Sequence, residues 1–240
     1  MLKNKKSLDS IIKENIYMGA LYSRMYYPRF EIVSFDQFKK DWCSAFDDWD
    51  ADSVYDENDI KGIYNNLSIP IRSTKHSAGY DFKSPINFVL HPGESIMIPT
   101  GISSYMPEDM VLLIFPRSGL GTKYRLHPAN LTCVIDSDYY GSDNEGHIHI
   151  RMVNNGNELV TIKQGQAFTQ GIFTKYYTTL DDSASGVRNG GMGSTDNPTK
   201  SEVAAAKASK ASKDMFDAVD NFFTHNENLN RLYEDMAYMN

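Results

Sequence analysis

The chain has 240 residues, 41% of them hydrophobic and 23% charged, with a formal net charge of −7. This composition excludes a collagen, a coiled coil or a wholly disordered chain, and the acidic balance disfavours nucleic acid as a partner. The longest clean apolar run, Met110 to Phe115, is far shorter than the roughly 20 residues that span a membrane. Only two cysteines are present, which excludes a disulfide framework. No apolar run follows the N-terminal lysines, so we expect a cytoplasmic protein without a secretory signal.

Residues 1–66 are predicted to form a helical N-terminal extension. Apolar residues between Ile11 and Leu21 recur at helical spacing. Ser34 and Gln37 have the spacing of a capping box, which marks the start of a helix. The apolar stripe that follows this box is expected to pack onto the rest of the protein.

Residues 67–177 are predicted to form an all-β domain. Short apolar runs alternate with turn signals every 8 to 12 residues, as in a sandwich or barrel. His147 and His149 alternate with Ile148 and Ile150, which indicates a half-buried strand. Two histidines at this spacing could bind a metal, but a solvated strand face is the commoner arrangement.

Residues 178–198 are predicted to be a flexible arm, and residues 199–240 a helical C-terminal tail. The arm carries the glycine-rich segment Gly190–Thr195, whose backbone N–H groups could surround an anion or simply serve as a linker. It lacks the lysine that precedes the Ser/Thr of a Walker loop, so a P-loop NTPase is not indicated.

Two segments of the β region carry candidate chemistry. Arg117-Ser118-Gly119 follows an apolar strand in a Ser-Gly turn, where a guanidinium, a hydroxyl and backbone N–H groups would suit a phosphate. Asp136 directly follows another apolar strand and could act as a base towards water. When each pattern is taken alone, an ordinary solvated turn, or an aspartate that starts a turn, is the commoner explanation.

Taken together, five segments in this order resemble the five motifs of the trimeric dUTP pyrophosphatases (dUTPases), especially those of phages and Gram-positive bacteria. The segments are residues 78–82, 116–120, 130–141, 165–172 and 190–195. The resemblance implies a jelly-roll-like β-barrel or sandwich core and a homotrimer with active sites shared between subunits. It also implies hydrolysis of dUTP to dUMP and pyrophosphate with Mg²⁺.

The resemblance assigns expected roles to individual residues. Asp136 would be the general base that activates water for attack on the α-phosphorus, and Asp81 would act on Mg²⁺ through water. Tyr139 would lie under the deoxyribose, and Asn130 would read the uracil edge. The remaining predicted substrate-binding residues are Arg117, Ser118, Gly119, Gln170, Arg188, Gly191, Met192, Gly193, Ser194 and Thr195.

The sequence departs from the family pattern in several places. Met192 replaces the aromatic residue that usually covers the uracil, and Arg188 is offset by one place from the usual arginine. Cys133 occupies a usual glycine position. About four extra residues, within Ser142–Glu145, lengthen the hairpin after the third motif.

Two alternatives remain open from the sequence. A dCTP deaminase relative would need a catalytic glutamate near the second and third motifs, where Glu145 is the only candidate. A regulator on the dUTPase scaffold could capture a repressor protein through the helical extensions, with or without catalysis. A phage-encoded enzyme of this kind would act in the host cytoplasm.

Overall fold

The computed structural model of the chain describes Gly19, residues 26–46 and 55–188, and Gly190. The helix predicted from the periodicity of Ile11 to Leu21 and the predicted tail 199–240 lie outside these residues, apart from Gly19. The described elements belong to one compact unit that spans Pro28–Pro198. Within the described part of the chain, no helix is both long and apolar enough to cross a membrane.

Most of the described secondary structure is β-strand, which confirms the predicted class. The strands are β1 (Arg29–Ile32), β2 (Ile71–Arg72), β3 (Tyr80–Lys83), β4 (Phe88–Leu90), β5 (Ser95–Pro99), β6 (Ile102–Tyr105), β7 (Met110–Pro116), β8 (Leu126–Pro128), β9 (Cys133–Asp136), β10 (His149–Asn154), β11 (Val160–Ile162) and β12 (Ala167–Lys175). The helices are α1 (Phe35–Phe46), α2 (Glu57–Asn65) and α3 (Ser118–Tyr124), and a 3₁₀ turn covers Ser137–Gly141.

All described strand pairs are antiparallel. They form a five-stranded sheet in the order β2-β3-β12-β7-β9, a three-stranded sheet β5-β10-β8, and the pairs β1-β6 and β4-β11. The segment from Ile96 to Tyr105 is divided into β5 and β6 at Gly101, whose φ of +74° a glycine adopts without strain.

The prediction that residues 1–66 are helical is wrong at Arg29–Ile32, which form β1 and pair with β6. Pro28 precedes this segment, and the aromatic and β-branched Phe30 and Ile32 favour an extended backbone. The predicted helix start at Ser34 is confirmed, since the Gln37 N–H donates to Ser34 Oγ over 3.2 Å. A capping box with both of its side-chain-to-backbone bonds, between Asp56 and Asp59, starts α2.

Helices α1 and α2 pack into the same hydrophobic core as the strands. Phe38 and Trp42 of α1 and Ile60 of α2 are almost fully buried in one cluster with strand residues such as Leu112 and Ile150. Full burial of one such side chain contributes roughly 1.5–3 kcal/mol. The boundary predicted at residue 66 therefore does not separate the described helices from the β core.

Candidate active site

The five-stranded sheet brings the first, second and fourth motifs to one pocket. On the central strand β12, Gln170 lies opposite Asp81 of β3 on one side and Phe115 of β7 on the other. The pocket beside them has a volume of about 450 Å³. Its lining residues are Ser73, Ser77, Gly79, Asp81, Arg117, Ser118, Gly119, Leu120, Lys123, Tyr124, Gln166 and Gln170.

Arg117 is held at the wall of this pocket by Asp81. Arg117 Nε lies 3.0 Å from Asp81 Oδ1, and the other carboxylate oxygen accepts a hydrogen bond of 2.6 Å from Ser73 Oγ. The Arg117 guanidinium also donates to the Ala167 carbonyl over 3.3 Å. The Arg117 side chain nevertheless stays 39% exposed, so that it can meet a ligand from solvent.

Gln170 is fixed by its neighbours on the same side of the sheet. Its amide donates to the Pro116 carbonyl over 3.1 Å. A Cβ on Gly79 would stand only 2.4 Å from Gln170 Oε1, so the glycine of the first motif leaves room for this side chain.

The Ser-Gly turn predicted after β7 is instead the start of α3. Arg117 is its N-cap and has an extended backbone, and no side chain caps the first turn. Ser118 and Gly119 are exposed on the pocket wall. The turn prediction failed because the two glycines of Ser-Gly-Leu-Gly resemble a break in the chain, whereas here they lie within a seven-residue helix.

Asp136 belongs to a second cluster of charged groups. Arg188 Nη2 lies 2.7 Å from Asp136 Oδ2, and Arg188 Nε lies 3.2 Å from Asp138 Oδ1. The same guanidinium stands over the ring of Tyr139, 5.5 Å from its centroid. Partial burial raises the pKa of Asp136; the Arg188 charge opposes this rise and Asp138 adds to it. Asp136 and Asp138 therefore share one positive charge, the guanidinium of Arg188.

Tyr139 is 4% exposed and is tied to the chain that follows it. Its hydroxyl donates to the His147 carbonyl over 2.8 Å and accepts from Asn144 Nδ2 over 2.9 Å. Burial raises the pKa of this phenol, which keeps the hydroxyl protonated as a donor.

Asn130 lies in the tight turn between β8 and β9. The next residue, Leu131, is 65% exposed and has a φ of +62°, a left-handed conformation that is uncommon and costly for a branched side chain. Cys133 Sγ donates to Asn130 Oδ1 over 3.2 Å, which leaves the Asn130 NH₂ group facing away from the thiol. Burial raises the pKa of Cys133, so this thiol stays protonated.

The two clusters lie towards opposite ends of β7. Asp136 pairs with Val111 near the start of β7, whereas the pocket residue Arg117 directly follows Pro116 at its end. The five residues from Val111 to Pro116 correspond to about 17 Å. The pocket lining contains neither Asp136 nor Tyr139. Gly191, Met192, Gly193, Ser194 and Thr195 of the fifth motif lie outside the described residues.

The predicted solvated face at His147 is wrong, because this side chain is completely buried. His147 and His149 lie beside Asp41 of α1, a helix that is distant in sequence, so sequence spacing could not reveal the cluster. Sequence analysis does not assign Ser73, Ser77 or Gln166 to the pocket. The two serines lie outside the five motifs, and in the fourth motif the resemblance assigns a substrate role only to Gln170.

Comparisons with known proteins agree with the motifs. A family model described as dUTPase matches residues 65–196, more than half of the chain. The deoxyuridine 5'-triphosphate nucleotidohydrolase of Lactococcus lactis subsp. lactis (strain IL1403) is 41% identical over 132 residues, which are 54% of this chain and 88% of that protein. The protein of the same name from Haemophilus influenzae (strain PittEE) is 39% identical over 114 residues, or 46% of this chain and 72% of that protein.

A crystal structure of dUTPase from Streptococcus mutans is 32% identical and covers 63% of this chain and 98% of that chain, with a TM-score of 0.45. The family model and the curated relatives define the class of protein. The chain belongs to the dUTPase family, and the resemblance inferred from its motifs is confirmed.

Proposed function

We propose that the chain is a dUTP diphosphatase that hydrolyses dUTP to dUMP and pyrophosphate. The observation that carries this proposal is the pocket lined by Asp81, Arg117 and Gln170, in a chain of the dUTPase family. The name nucleotidohydrolase, which the Lactococcus lactis relative carries, describes the same reaction.

The pocket supplies donors for a phosphate chain. Arg117 and Lys123 are cationic and Ser118 has a hydroxyl, and all three line the cavity. Charge-assisted hydrogen bonds of this kind are short and strong. An acidic protein can therefore bind a triphosphate, because the relevant positive charge is local.

Asp136 would act as the general base. It would take a proton from a water molecule while the water oxygen forms a bond to the α-phosphorus. The bond from the α-phosphorus to the bridging oxygen would break, and that oxygen would leave with pyrophosphate. A carboxylate with a raised pKa is a better base than an ordinary one, provided that it is still ionised at the working pH.

Tyr139 and Asn130 would select the nucleoside. The buried Tyr139 ring would lie against the deoxyribose and leave no room for a 2′-hydroxyl. The Asn130 NH₂ group would meet the uracil O4 acceptor, whereas the amino group of cytosine would present a second donor at that place. Mispaired donors are costly to bury, so the site would reject dCTP.

One carboxylate at the pocket fits Mg²⁺. This ion usually keeps several waters and binds through one or two carboxylates together with substrate phosphates. Asp81 would hold it through water, since the Asp81 oxygens already contact Arg117 and Ser73. When bound, the ion would neutralise charge on the phosphate oxygens.

Val111, which pairs with Asp136, lies about 17 Å along β7 from Pro116, which precedes the pocket residue Arg117. This separation within one chain supports active sites that are shared between copies. We propose a homotrimer of jelly-roll-like subunits, in which the pocket of one copy faces Asp136 and Tyr139 of another. The fifth motif, with Arg188 and residues 191–195, would contribute further phosphate contacts.

The test is pyrophosphate release from dUTP with Mg²⁺, measured beside dTTP, dCTP and UTP. We expect dUTP to be hydrolysed much faster than dTTP, dCTP or UTP, and we expect a loss of about 10³-fold or more in kcat for Asp136→Asn, because general-base catalysis contributes about 10²–10⁴-fold. Asp138→Asn is the matched control, since it makes the same change two residues away and also touches Arg188. It should keep most of the activity. Absence of release from dUTP by the unaltered chain would contradict the proposal.

A further inference from the structure

The N-terminal segment that precedes the family match is bonded to the third motif. We call β1, α1 and the residues between them (29–46) the N-terminal brace, and residues 137–149 the third-motif hairpin. Tyr140 OH donates to Glu31 Oε2 over 2.6 Å. The backbone N–H and the hydroxyl of Ser34 each donate to the Glu145 carboxylate over 2.7 Å. The extra hairpin residues therefore have a structural role, and Glu145 is engaged by the brace.

Asp41 forms the third and most buried link. Its Oδ2 lies 2.6 Å from His147 Nδ1 and 3.2 Å from His149 Nε2, and it accepts a 2.8 Å hydrogen bond from Gln37 Nε2. Partial burial by itself would raise the pKa of Asp41, but hydrogen bonds from both histidines and from Gln37 outweigh it and hold the pKa well below its ordinary value. Asp41 is therefore an ionised acceptor.

The position of the His147 proton follows from its second ring nitrogen. The Gly101 N–H donates to His147 Nε2 over 2.8 Å, so this nitrogen must keep its lone pair. In the neutral ring the proton then lies on Nδ1 and is donated to Asp41. Burial lowers the pKa of His147, which agrees with a neutral ring.

The hydrogen bonds of His147 argue against a metal ion bound by Asp41, His147 and His149. Asp41, His147 and His149 are close enough to share a cation, but a cation on His147 Nδ1 needs the lone pair of that nitrogen. Because Nε2 already accepts from Gly101, the ring would have to lose both protons. The hydrogen bonds with Asp41 and Gly101 are instead suited to hold the His147 side chain in place.

The backbone of His147 is in turn the acceptor for Tyr139. The Tyr139 hydroxyl donates to the His147 carbonyl, and Asn144 Nδ2 contacts both groups, at 2.9 and 3.3 Å. Gly146 allows the hairpin to close tightly, because a Cβ there would stand 2.7 Å from Tyr140 Cα. Asp41, His147 and Tyr139 thus form one continuous chain of contacts.

We propose that Asp41 is a positioning residue, which fixes Tyr139 through His147 and thereby sets the preference of the enzyme for deoxyribose over ribose. The inference rests on the proposed function. It adds a residue that lies outside the family match at residues 65–196, and it assigns the N-terminal brace a part in substrate selection.

The test compares kcat/KM for dUTP and UTP in the full chain and in two variants, Asp41→Asn and Asp36→Asn. Asp36 lies on the exposed face of the same helix and is the matched control. Asp41→Asn replaces charge-assisted hydrogen bonds by weaker ones to a neutral amide oxygen, and we expect it to lower the dUTP/UTP ratio by about tenfold. Asp36→Asn should leave the ratio unchanged. A general loss of folded protein would lower both values and leave their ratio intact.

A second arm separates positioning from stability alone. In a Tyr139→Phe background, which lacks the hydroxyl that reaches His147, Asp41→Asn should change the ratio by no more than about twofold, because coupled residues are not additive. If Asp41→Asn does not fold, Gln37→Leu removes one hydrogen bond to Asp41 and should lower the ratio by about two- to threefold. A dUTP/UTP ratio in folded Asp41→Asn, or in Gln37→Leu where Asp41→Asn does not fold, equal to that of the unaltered chain would overturn the inference. Absence of dUTP hydrolysis by the unaltered chain would instead overturn the proposed function, and this inference with it.

Discussion

At the scale of single residues, partial burial and two neighbouring charges set the pKa of Asp136. Burial raises the pKa of Asp136, Arg188 opposes that rise, and Asp138 reinforces it. Arg188 contacts both carboxylates and also stands over Tyr139. One arginine of the arm is therefore coupled to the proposed base and to the residue proposed to lie under the sugar.

The pH dependence of activity should report this coupling. Arg188→Gln removes the charge that lowers the pKa of Asp136, so the acid limb of kcat/KM for dUTP should move to higher pH. The plateau should fall by about 10- to 100-fold, the usual effect of losing a charged hydrogen bond. Asp138→Asn removes a charge that raises the pKa and should move the limb to lower pH. Shifts of the same sign in the two variants would contradict this account.

At the scale of elements, the N-terminal brace and the third-motif hairpin meet around a buried titratable pair. Asp41 is ionised and His147 is neutral, and α1 places the carboxylate against a histidine that is completely buried. Either group can be protonated more easily once the two elements separate. The association of brace and hairpin should therefore weaken in acid.

The free energy of unfolding should show two acid-sensitive windows. The pKa of His147 is lower in the folded chain than its ordinary value of 6.5, so the unfolded chain binds more protons below about pH 6.5 and stability falls as the pH is lowered. The pKa of Asp41 is lowered as well, and its contribution is lost below about pH 4. Urea titrations at a fixed protein concentration would measure both windows.

His147→Asn is the matched variant for the upper window. Its amide keeps a donor near Asp41 but does not titrate, so the fall in stability between pH 6.5 and pH 5 should be smaller than in the unaltered chain. Equal slopes in the two proteins would mean that another group controls this window.

At the scale of the whole molecule, the separation of the two clusters along β7 predicts that damaged subunits can complement each other. Arg117→Gln damages the pocket and Asp136→Asn removes the base, so each variant alone should be nearly inactive. After equal amounts of the two are unfolded and refolded together, about a quarter of the wild-type activity should return if trimers form at random and each site draws on two copies.

The control for this experiment is a mixture of Asp136→Asn with the double variant that carries both changes. No subunit in that mixture has the base, so activity should stay absent. Absence of recovery in the first mixture would show that each site lies within one chain.

Much of the architecture could be predicted from local patterns. The alternation and turn signals of the β region correspond to ten of the described strands, β2 to β7 and β9 to β12, and the Ser34 capping box marks the true start of α1. The pocket residues Arg117 and Gln170 could be predicted because they belong to the second and fourth motifs, which are recognised by their order along the chain. The pairing of Asp41 with His147 was not predictable, since it depends on tertiary contacts between residues 106 positions apart. β1 was missed because a four-residue strand between helical patterns has little signal of its own.

The position of the N-terminal brace also determines where this protein can be dissected. The family match begins at residue 65, and a fragment cut there would omit Phe38 and Trp42, which fill the common core. It would also leave the Nδ1–H of His147 without its acceptor. Such a fragment would expose apolar surface and tend to aggregate. A catalytic fragment should therefore retain the N-terminal brace, which lies well before the segment recognised by comparison with relatives.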